Sequence, residues 1–411
     1  MEEKLEKVKK ILTEQKQEEI LNYPIKNQEE FMDKILSINF EQLNKLYEKA
    51  IKKEEIKQAK VEPISYVDKD KLTTEEKEKY EKIGEKIIKE GKYAVVTMAG
   101  GQGSRLGHEG PKGTYDFGLE SHITIFEVLC DNLKEAYEKY EVYVPWYIMT
   151  SKQNHEDTVK FFEEKNYFNY PKEKIQFFKQ GEIPVLSEDG KLLLDKDGNI
   201  NEAADGHGGI LISMRKNNVI ENMKQRGVQW AFIGPVDNVL VKMVDSIFVG
   251  LCEERKVLAG GKSIIKAYPE EKVGVFCKKN EKPSVIEYTE ISKEMSEMID
   301  QNGELVYGES HINCNLFNIN AIEEISKDKL PYHSAYKKIE YMDKNGEIIK
   351  PEKENAYKFE AFIFDAFEQL DDMAILRVKR EEEFAPIKNA EGKDSPETAR
   401  ELYKKFHKIG E

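Results

Sequence analysis

The sequence predicts an α/β chain: a mixed, mainly parallel central sheet flanked by helices, behind an N-terminal helical layer. Three observations predict it. From Tyr93 onward, short apolar runs alternate with amphipathic ones, the pattern of strands joined through helices. Before that point the chain is rich in Glu, Lys, Ile and Leu, with Leu5, Val8, Ile11 and Leu12 at helical spacing and no glycine until Gly84. Finally, Ala94-Val95-Val96-Thr97-Met98 runs straight into Ala99-Gly100-Gly101-Gln102-Gly103-Ser104-Arg105-Leu106-Gly107, a buried strand feeding a glycine-rich loop.

Each element follows in order. Val142 to Thr150 reads as a strand, Asp157 to Lys165 as a helix, Ile175 to Phe178 as a strand and Trp230 to Ile233 as another. Between them, Gly181 to Asn201 carries Asp189-Gly190 and Asp197-Gly198 among apolar residues, a hairpin excursion. Phe362 and Phe364 alternate with period two, as core-facing strand residues do. The boundaries drawn from these shifts are a helical region at 1–90, a catalytic region at 91–390 and a helical tail at 391–411. At 411 residues the chain exceeds the roughly 250–300 at which single cores stop growing.

Composition removes several function classes. A net charge of −14 without a basic stripe makes nucleic acid a poor partner, because phosphate-backbone binding needs clustered Lys and Arg. No run approaches the ~20 apolar residues of a membrane helix, and Met1-Glu2-Glu3-Lys4-Leu5 does not open an apolar leader. Cys130, Cys252, Cys277 and Cys314 stand apart with no CxxC pair, so reduced packing residues are expected rather than a zinc site. A cytoplasmic monomer is the resulting expectation.

The loop carries the chemistry. Glycines let a backbone approach a ligand closely with its N–H groups turned inward, and Arg105 and Lys112 add two cations on a solvated loop. A polyphosphate suits such a loop. The spelling excludes a P-loop, which needs Gly-Lys-Ser/Thr, and the G-x-G-x-x-x-G spacing of Gly101, Gly103 and Gly107 departs from the dinucleotide fingerprint. Asp237 follows the apolar run Trp230-Ala231-Phe232-Ile233-Gly234-Pro235-Val236, where a carboxylate can hold Mg²⁺ on a nucleotide. On the residues alone, Asp237-Asn238 serves equally as a turn or helix cap.

The string Gly100-Gly101-Gln102-Gly103-Ser104-Arg105-Leu106-Gly107…Pro111-Lys112-Gly113 resembles the nucleotide loop of the UDP-sugar pyrophosphorylases, most of all those acting on UDP-N-acetylhexosamines. Further blocks occur in the family order between Lys92 and Ala399. They include Pro145-Trp146-Tyr147-Ile148-Met149-Thr150-Ser151, Asp205-Gly206-His207-Gly208-Gly209, Val236-Asp237-Asn238, Val285-Ile286-Glu287-Tyr288 and Phe384-Ala385-Pro386-Ile387-Lys388. The resemblance implies a Rossmann-like, nucleotidyltransferase (GT-A-like) sheet. It also implies transfer of UMP from UTP to a sugar 1-phosphate, giving a UDP-sugar and pyrophosphate with Mg²⁺ or Mn²⁺ as cofactor.

It implies roles residue by residue. Arg105, Lys112 and Lys388 hold phosphates, and Asp237 holds the metal. Gln180, Gly206 and the backbone amides of Ala99, Gly100 and Gly101 read the uracil, whose edge an amide matches because it both donates and accepts. Glu287 and Tyr288 contact sugar hydroxyls, Gly274 contributes backbone, Asn238 adds a polar sugar contact, and Phe362 and Phe364 wall the sugar substituent. Two positions depart from the acetylhexosamine pattern. His207 replaces an Asn, as in UDP-glucose and broad UDP-sugar relatives, and Ser310-His311 replaces a Gly-Asn pair unless Asn313 takes that role. Eukaryotic relatives continue into a small C-terminal β-domain that these 411 residues do not contain. The competing readings are a UDP-glucose or broad UDP-sugar enzyme, a non-catalytic nucleotide-sugar sensor, and, more distantly, a dinucleotide oxidoreductase.

Overall fold

In the computed structural model, residues 1–52 and 59–409 are described. They fall into two compact units that are discontinuous in sequence. One comprises Met1–Gln58, Gly181–Gly209 and Leu330–Phe362; the other comprises Ala59–Gln180, Ile210–Lys329 and Ile363–Glu411. The consecutive segments 1–90, 91–390 and 391–411 drawn from the sequence do not coincide with these units.

The larger unit is built on an 11-stranded sheet. Tyr93–Met98 lies between Trp146–Thr150 and Trp230–Pro235, and Ile175–Lys179 lies beyond Trp146–Thr150, all four parallel. Glu309–Asn318 joins antiparallel to Trp230–Pro235 and to Ala259–Ile265, after which Ala374–Arg377 runs parallel again. All six residues of Tyr93–Met98 are buried, as expected of a parallel strand covered on both faces. The predicted strands and helix appear with shifted ends: the expected 142–150 strand is Trp146–Thr150 and the helix is His155–Glu164. Two short strands fall inside the segment read as helical. Val61–Pro63 pairs antiparallel with Val275–Lys279, and Val67–Asp68 runs parallel to Ala374–Arg377.

Helices cover the sheet. Thr74–Lys89 and Ile125–Tyr140 each start on a capping box, Thr73 with Glu76 and Thr124 with Glu127, which satisfies otherwise orphaned backbone donors. Thr74–Lys89 crosses Ser246–Arg255 at two glycines. A Cβ on Gly84 would lie 1.9 Å from the Ser246 carbonyl oxygen, and one on Gly250 would lie 1.9 Å from that of Tyr80. Trp146, Trp230, Phe126 and Phe232 are each at most 1% exposed in the core. Burial of a side chain such as phenylalanine contributes roughly 1.5–3 kcal/mol.

The smaller unit packs Glu2–Glu14, Gln28–Ser37 and Phe40–Lys52 around its own cluster, which includes Val8, Leu12, Phe31, Ile35, Leu186, Leu194 and Phe359. The excursion folds as expected: Gly190 and Gly198 take positive φ at the two Asp-Gly turns, and Glu182–Pro184 pairs with Glu202–Ala204. Ala356–Ala361 pairs with Tyr332–Lys337 and with Leu186–Ser187. The strand ends at Ala361, and Phe364 lies in the 3-10 helix Ile363–Gln369, so Phe362 and Phe364 do not share a strand face. Their alternation in sequence marks a strand end, not a strand.

Candidate functional site

Four adjacent parallel strands end at one edge of the large sheet, where ligands of open α/β sheets gather. Tyr93–Met98 delivers Ala99-Gly100-Gly101 and Trp146–Thr150 delivers Ser151. Ile175–Lys179 delivers Gln180, and Trp230–Pro235 delivers Val236-Asp237. Thus the nucleotide-loop, amide and carboxylate candidates converge because four strand ends share a register.

The loop is held by its own backbone. Gly103 N–H donates to the Gly110 carbonyl at 2.9 Å, Lys112 N–H donates to that of Gly101 at 3.0 Å, and Gly107 closes the Ser104–Leu106 turn at φ 68°. Arg105 is exposed on that turn. A Cβ on Gly100 would lie 2.6 Å from Gln180 Oε1, so only glycine lets this amide lie over the loop. The Ala99 amide is not available to a base: it donates to the Met149 carbonyl at 2.7 Å, extending the sheet ladder. That corrects its assignment among the uracil-reading amides.

Sequence reasoning missed Asn154. It is fully buried at the start of the His155–Glu164 helix, yet its side chain does not cap that helix. Nδ2 instead donates to the Ala99 carbonyl at 3.0 Å and to that of Gly101 at 3.3 Å, and Oδ1 accepts the Ser151 N–H at 2.8 Å. The available signal was a Ser-x-x-Asn string directly after a buried strand.

Lys112 and Asp237 meet. Lys112 Nζ lies 3.1 Å from Asp237 Oδ2 and donates to the Ile387 carbonyl, also at 3.1 Å. The Lys112 and Asp237 side chains are 14% and 20% exposed, so Lys112 does not stand on a solvated loop as the sequence suggested; only Arg105 does. The segment carrying Lys388 is stitched to the Asp237 turn. Ile387 N–H donates to the Asp237 carbonyl at 2.8 Å, and Val239 N–H donates to that of Ala385 at 3.2 Å. Asn238 is 1% exposed and its amide is spent on this junction, donating to the Glu383 carbonyl and accepting the Leu240 and Ala385 N–H groups. It therefore serves as backbone support rather than presenting its side chain to a sugar. The Lys388 side chain is exposed, its ammonium 5.8 Å from the centre of the Phe384 ring.

A buried ionic quartet lies behind this junction. Lys262, 1% exposed, reaches Glu383, Asp245 at 2.9 Å and the Lys242 carbonyl at 3.2 Å. Lys69 lies 3.1 Å from Asp245 and 2.9 Å from Glu383. Burial pushes the Asp245 carboxyl up, but the ammoniums of Lys262 and Lys69 outweigh it and hold the group well below the usual carboxylate range. Glu383 leads into the Lys388 segment and Asp245 ends the stretch begun at Asp237, so the quartet anchors both.

The sugar-side candidates of the larger unit cluster around His311. Gly274 accepts the His311 N–H at 2.9 Å, and a Cβ there would lie 3.2 Å from Glu287 Oε1. Tyr288 is exposed. His311 Nε2 lies 2.9 Å from Asn315 Oδ1, and Asn315 Nδ2 donates to Asn313 Oδ1 at 3.4 Å. His311 and Asn313 therefore belong to one polar chain. Asn313 takes φ 60°, a conformation Asn tolerates, within a stretch where the Ala259–Ile265 register shifts. Phe276, Phe364 and Phe367 all meet the His311 ring nearly edge-on, and burial pushes its pKa down to about 4. The ring is neutral at physiological pH. With Nε2 donating to Asn315, the tautomer this network assigns, Nδ1 is left as an acceptor.

Gly206, His207 and Phe362 lie in the smaller unit. Gly206 takes φ 83°, and a Cβ there would lie 2.3 Å from the Ala361 carbonyl oxygen, so this turn requires glycine. Phe362 stacks on His333 at 4.7 Å and meets His207 at 5.4 Å.

A family model described as UTP–glucose-1-phosphate uridylyltransferase matches residues 37–394. A probable UDP-N-acetylglucosamine pyrophosphorylase of Dictyostelium discoideum is 35% identical over 421 residues, covering 96% of this chain and 86% of its own length. The UDP-N-acetylglucosamine pyrophosphorylase of Saccharomyces cerevisiae is 38% identical, covering 80% of this chain and 71% of its own. Among solved structures, the uridine diphosphate N-acetylglucosamine pyrophosphorylase of Trypanosoma brucei, in complex with an inhibitor, superposes with a TM-score of 0.84 at 28% identity. That match covers 98% of this chain and 84% of the other.

Proposed function

The chain belongs to the UTP–glucose-1-phosphate uridylyltransferase family, and on that premise we propose that it transfers UMP from UTP to N-acetylglucosamine 1-phosphate, releasing pyrophosphate. The observation that carries this reading is the junction at which one ammonium, Lys112, meets Asp237 and the Lys388 segment at the sheet edge that bears the glycine loop.

The reaction is an in-line attack by an oxygen of the sugar phosphate on the α-phosphorus of UTP. The new P–O bond forms as the bond from the α-phosphorus to the α–β bridging oxygen of UTP breaks, that oxygen leaving on pyrophosphate, so no protein nucleophile is needed. The protein's task is to bring two anions together and to neutralise the charge developing on the leaving group. Lys112 and the exposed Arg105 receive the β- and γ-phosphates, and Lys388 closes on the phosphates from the C-terminal segment. Gln180, lying over Gly100, reads the uracil edge. In the sugar region, Glu287 and the neutral His311 would take hydroxyl hydrogen bonds.

Asp237 offers a single carboxylate, and among the described residues no group of three or more metal-ligating side chains forms. That donor set fits Mg²⁺, which takes one or two protein carboxylates and fills its remaining positions with phosphates and water. Such an ion would be held by Asp237 and would neutralise phosphate charge. Asp237→Asn, which keeps the shape and removes the charge, is expected to raise the Mg²⁺ needed for half-maximal activity and to weaken Mn²⁺ uptake in the presence of UTP.

The purified protein incubated with UTP, Mg²⁺ and N-acetylglucosamine 1-phosphate tests the reading. Equimolar UDP-N-acetylglucosamine and pyrophosphate are expected. Binding of the nucleotide-sugar without turnover in either direction would leave a sensor and defeat the proposal.

A further inference from the structure

We propose that Asn154 is a positioning residue that sets the nucleobase preference, by fixing which way the peptide planes of the glycine loop face. The inference rests on the uridylyl-transfer reading and deepens its base site.

A peptide plane next to a glycine is cheaper to flip, because the glycine side carries no Cβ, and the Ala99–Gly100 and Gly101–Gln102 planes each have one such side. Flipping one peptide exchanges a donor for an acceptor at the same place. Uracil presents a carbonyl acceptor at C4 and an N3–H donor; cytosine presents an amino donor and a bare N3 acceptor. A loop able to flip would therefore serve both bases.

Asn154 removes that freedom. Its Nδ2 holds the Ala99 carbonyl at 3.0 Å, and in the trans peptide this turns the Gly100 N–H the opposite way. The same amide holds the Gly101 carbonyl at 3.3 Å, which also accepts the Lys112 N–H at 3.0 Å, so the Gln102 N–H is fixed likewise. Asn154 is itself locked by the Ser151 N–H on Oδ1 at 2.8 Å and by its own N–H on Ser151 Oγ at 3.2 Å. It is 0% exposed, and it ties the ends of two neighbouring strands to the one loop that Gln180 overlies.

A purely structural role makes a different prediction. Thr158, equally buried, donates through Oγ1 to the Asn154 carbonyl at 2.7 Å and makes no hydrogen bond to the loop. Thr158→Val thus removes a buried hydrogen bond beside the same residue and leaves the carbonyl pins in place.

The test is calorimetric binding of UTP and of CTP, each with Mg²⁺, to the full chain and to Asn154→Ala, Asn154→Asp and Thr158→Val. Asn154→Asp is isosteric and keeps the Ser151 acceptor, but it replaces the donor with a carboxylate facing two carbonyls. The preference for UTP over CTP is expected to fall at least tenfold in both Asn154 variants and to be kept in Thr158→Val. Retention of the wild-type preference by either folded Asn154 variant overturns the proposal alone. A wild-type protein that binds UTP and CTP equally overturns the base-site reading, and the proposal with it. Failure of both Asn154 variants to fold where Thr158→Val folds would assign Asn154 a structural role and also overturn it.

Discussion

The Lys112 ammonium and the Asp237 carboxylate lie 3.1 Å apart, and the same ammonium donates to the Ile387 carbonyl, so three segments remote in sequence meet at one nitrogen. Catalysis and local stability are therefore coupled at Lys112 and separate at Arg105. Lys112→Ala is expected to lower kcat/KM by about two orders of magnitude or more, the size of losing one preorganised charge contact. It should also lower stability by about 1–3 kcal/mol, because Asp237 and the Ile387 carbonyl each lose a partner. Arg105→Ala should lose comparable activity with no change in Tm, since its side chain is exposed. Parallel kinetics and thermal melts check both; near-wild-type turnover in the two variants would remove the phosphate roles.

Lys262 is a different case, because it sits away from the phosphates and inside the fold. Lys262→Met leaves Asp245 and Glu383 with Lys69 as their one remaining ion-pair partner in the quartet. Breaking a buried charge network by removing one member costs about 3–5 kcal/mol. Urea unfolding at pH 7 should show a loss of that size. A loss below about 1 kcal/mol would mean that the quartet is solvated and contributes little.

His311 sets a pH dependence. Its folded pKa is about 4 against an ordinary 6.5, so between those values the unfolded chain binds more protons than the folded one. Stability attributable to this ring is therefore present above pH 6.5 and is lost as pH falls towards 4. The loss between pH 7 and pH 5 amounts to about 2 kcal/mol in linkage terms. His311→Gln should flatten the wild-type stability profile across that window. Parallel profiles for the two proteins would place the imidazole in water, outside its aromatic surround.

Much of this was legible in the sequence, for identifiable reasons. A six-residue buried strand followed by three closely spaced glycines and two cations has few structural solutions, and Asp237 could be placed because it follows an apolar run ending in Gly234-Pro235-Val236. What was missed depends on contacts remote in sequence. Val61–Pro63 is too short to show alternation and exists as a strand only because Val275–Lys279 pairs with it. Asn154 looks like any polar residue at a helix start until the carbonyls of Ala99 and Gly101 are seen beside it. Asn238 lies next to the metal candidate, yet its amide is committed to Glu383, Leu240 and Ala385, which no spacing rule foretells. The two units interleave three segments each, so cutting the chain in order could not recover them.

Steady-state kcat/KM for pyrophosphate release from UTP, measured with N-acetylglucosamine 1-phosphate, glucose 1-phosphate and galactose 1-phosphate, tests the central claim most directly. By resemblance, His207 stands where acetylhexosamine enzymes carry an Asn, as does His311 unless Asn313 takes that role, and loss of apolar contacts alone excludes a smaller sugar only weakly. The expected result is the highest value for N-acetylglucosamine 1-phosphate, measurable turnover of the other two, and a shift further towards the acetylated sugar in His207→Asn. Strong selectivity for glucose 1-phosphate that His207→Asn leaves undisturbed would contradict the acetylhexosamine assignment, and no release with any of the three would contradict uridylyl transfer itself.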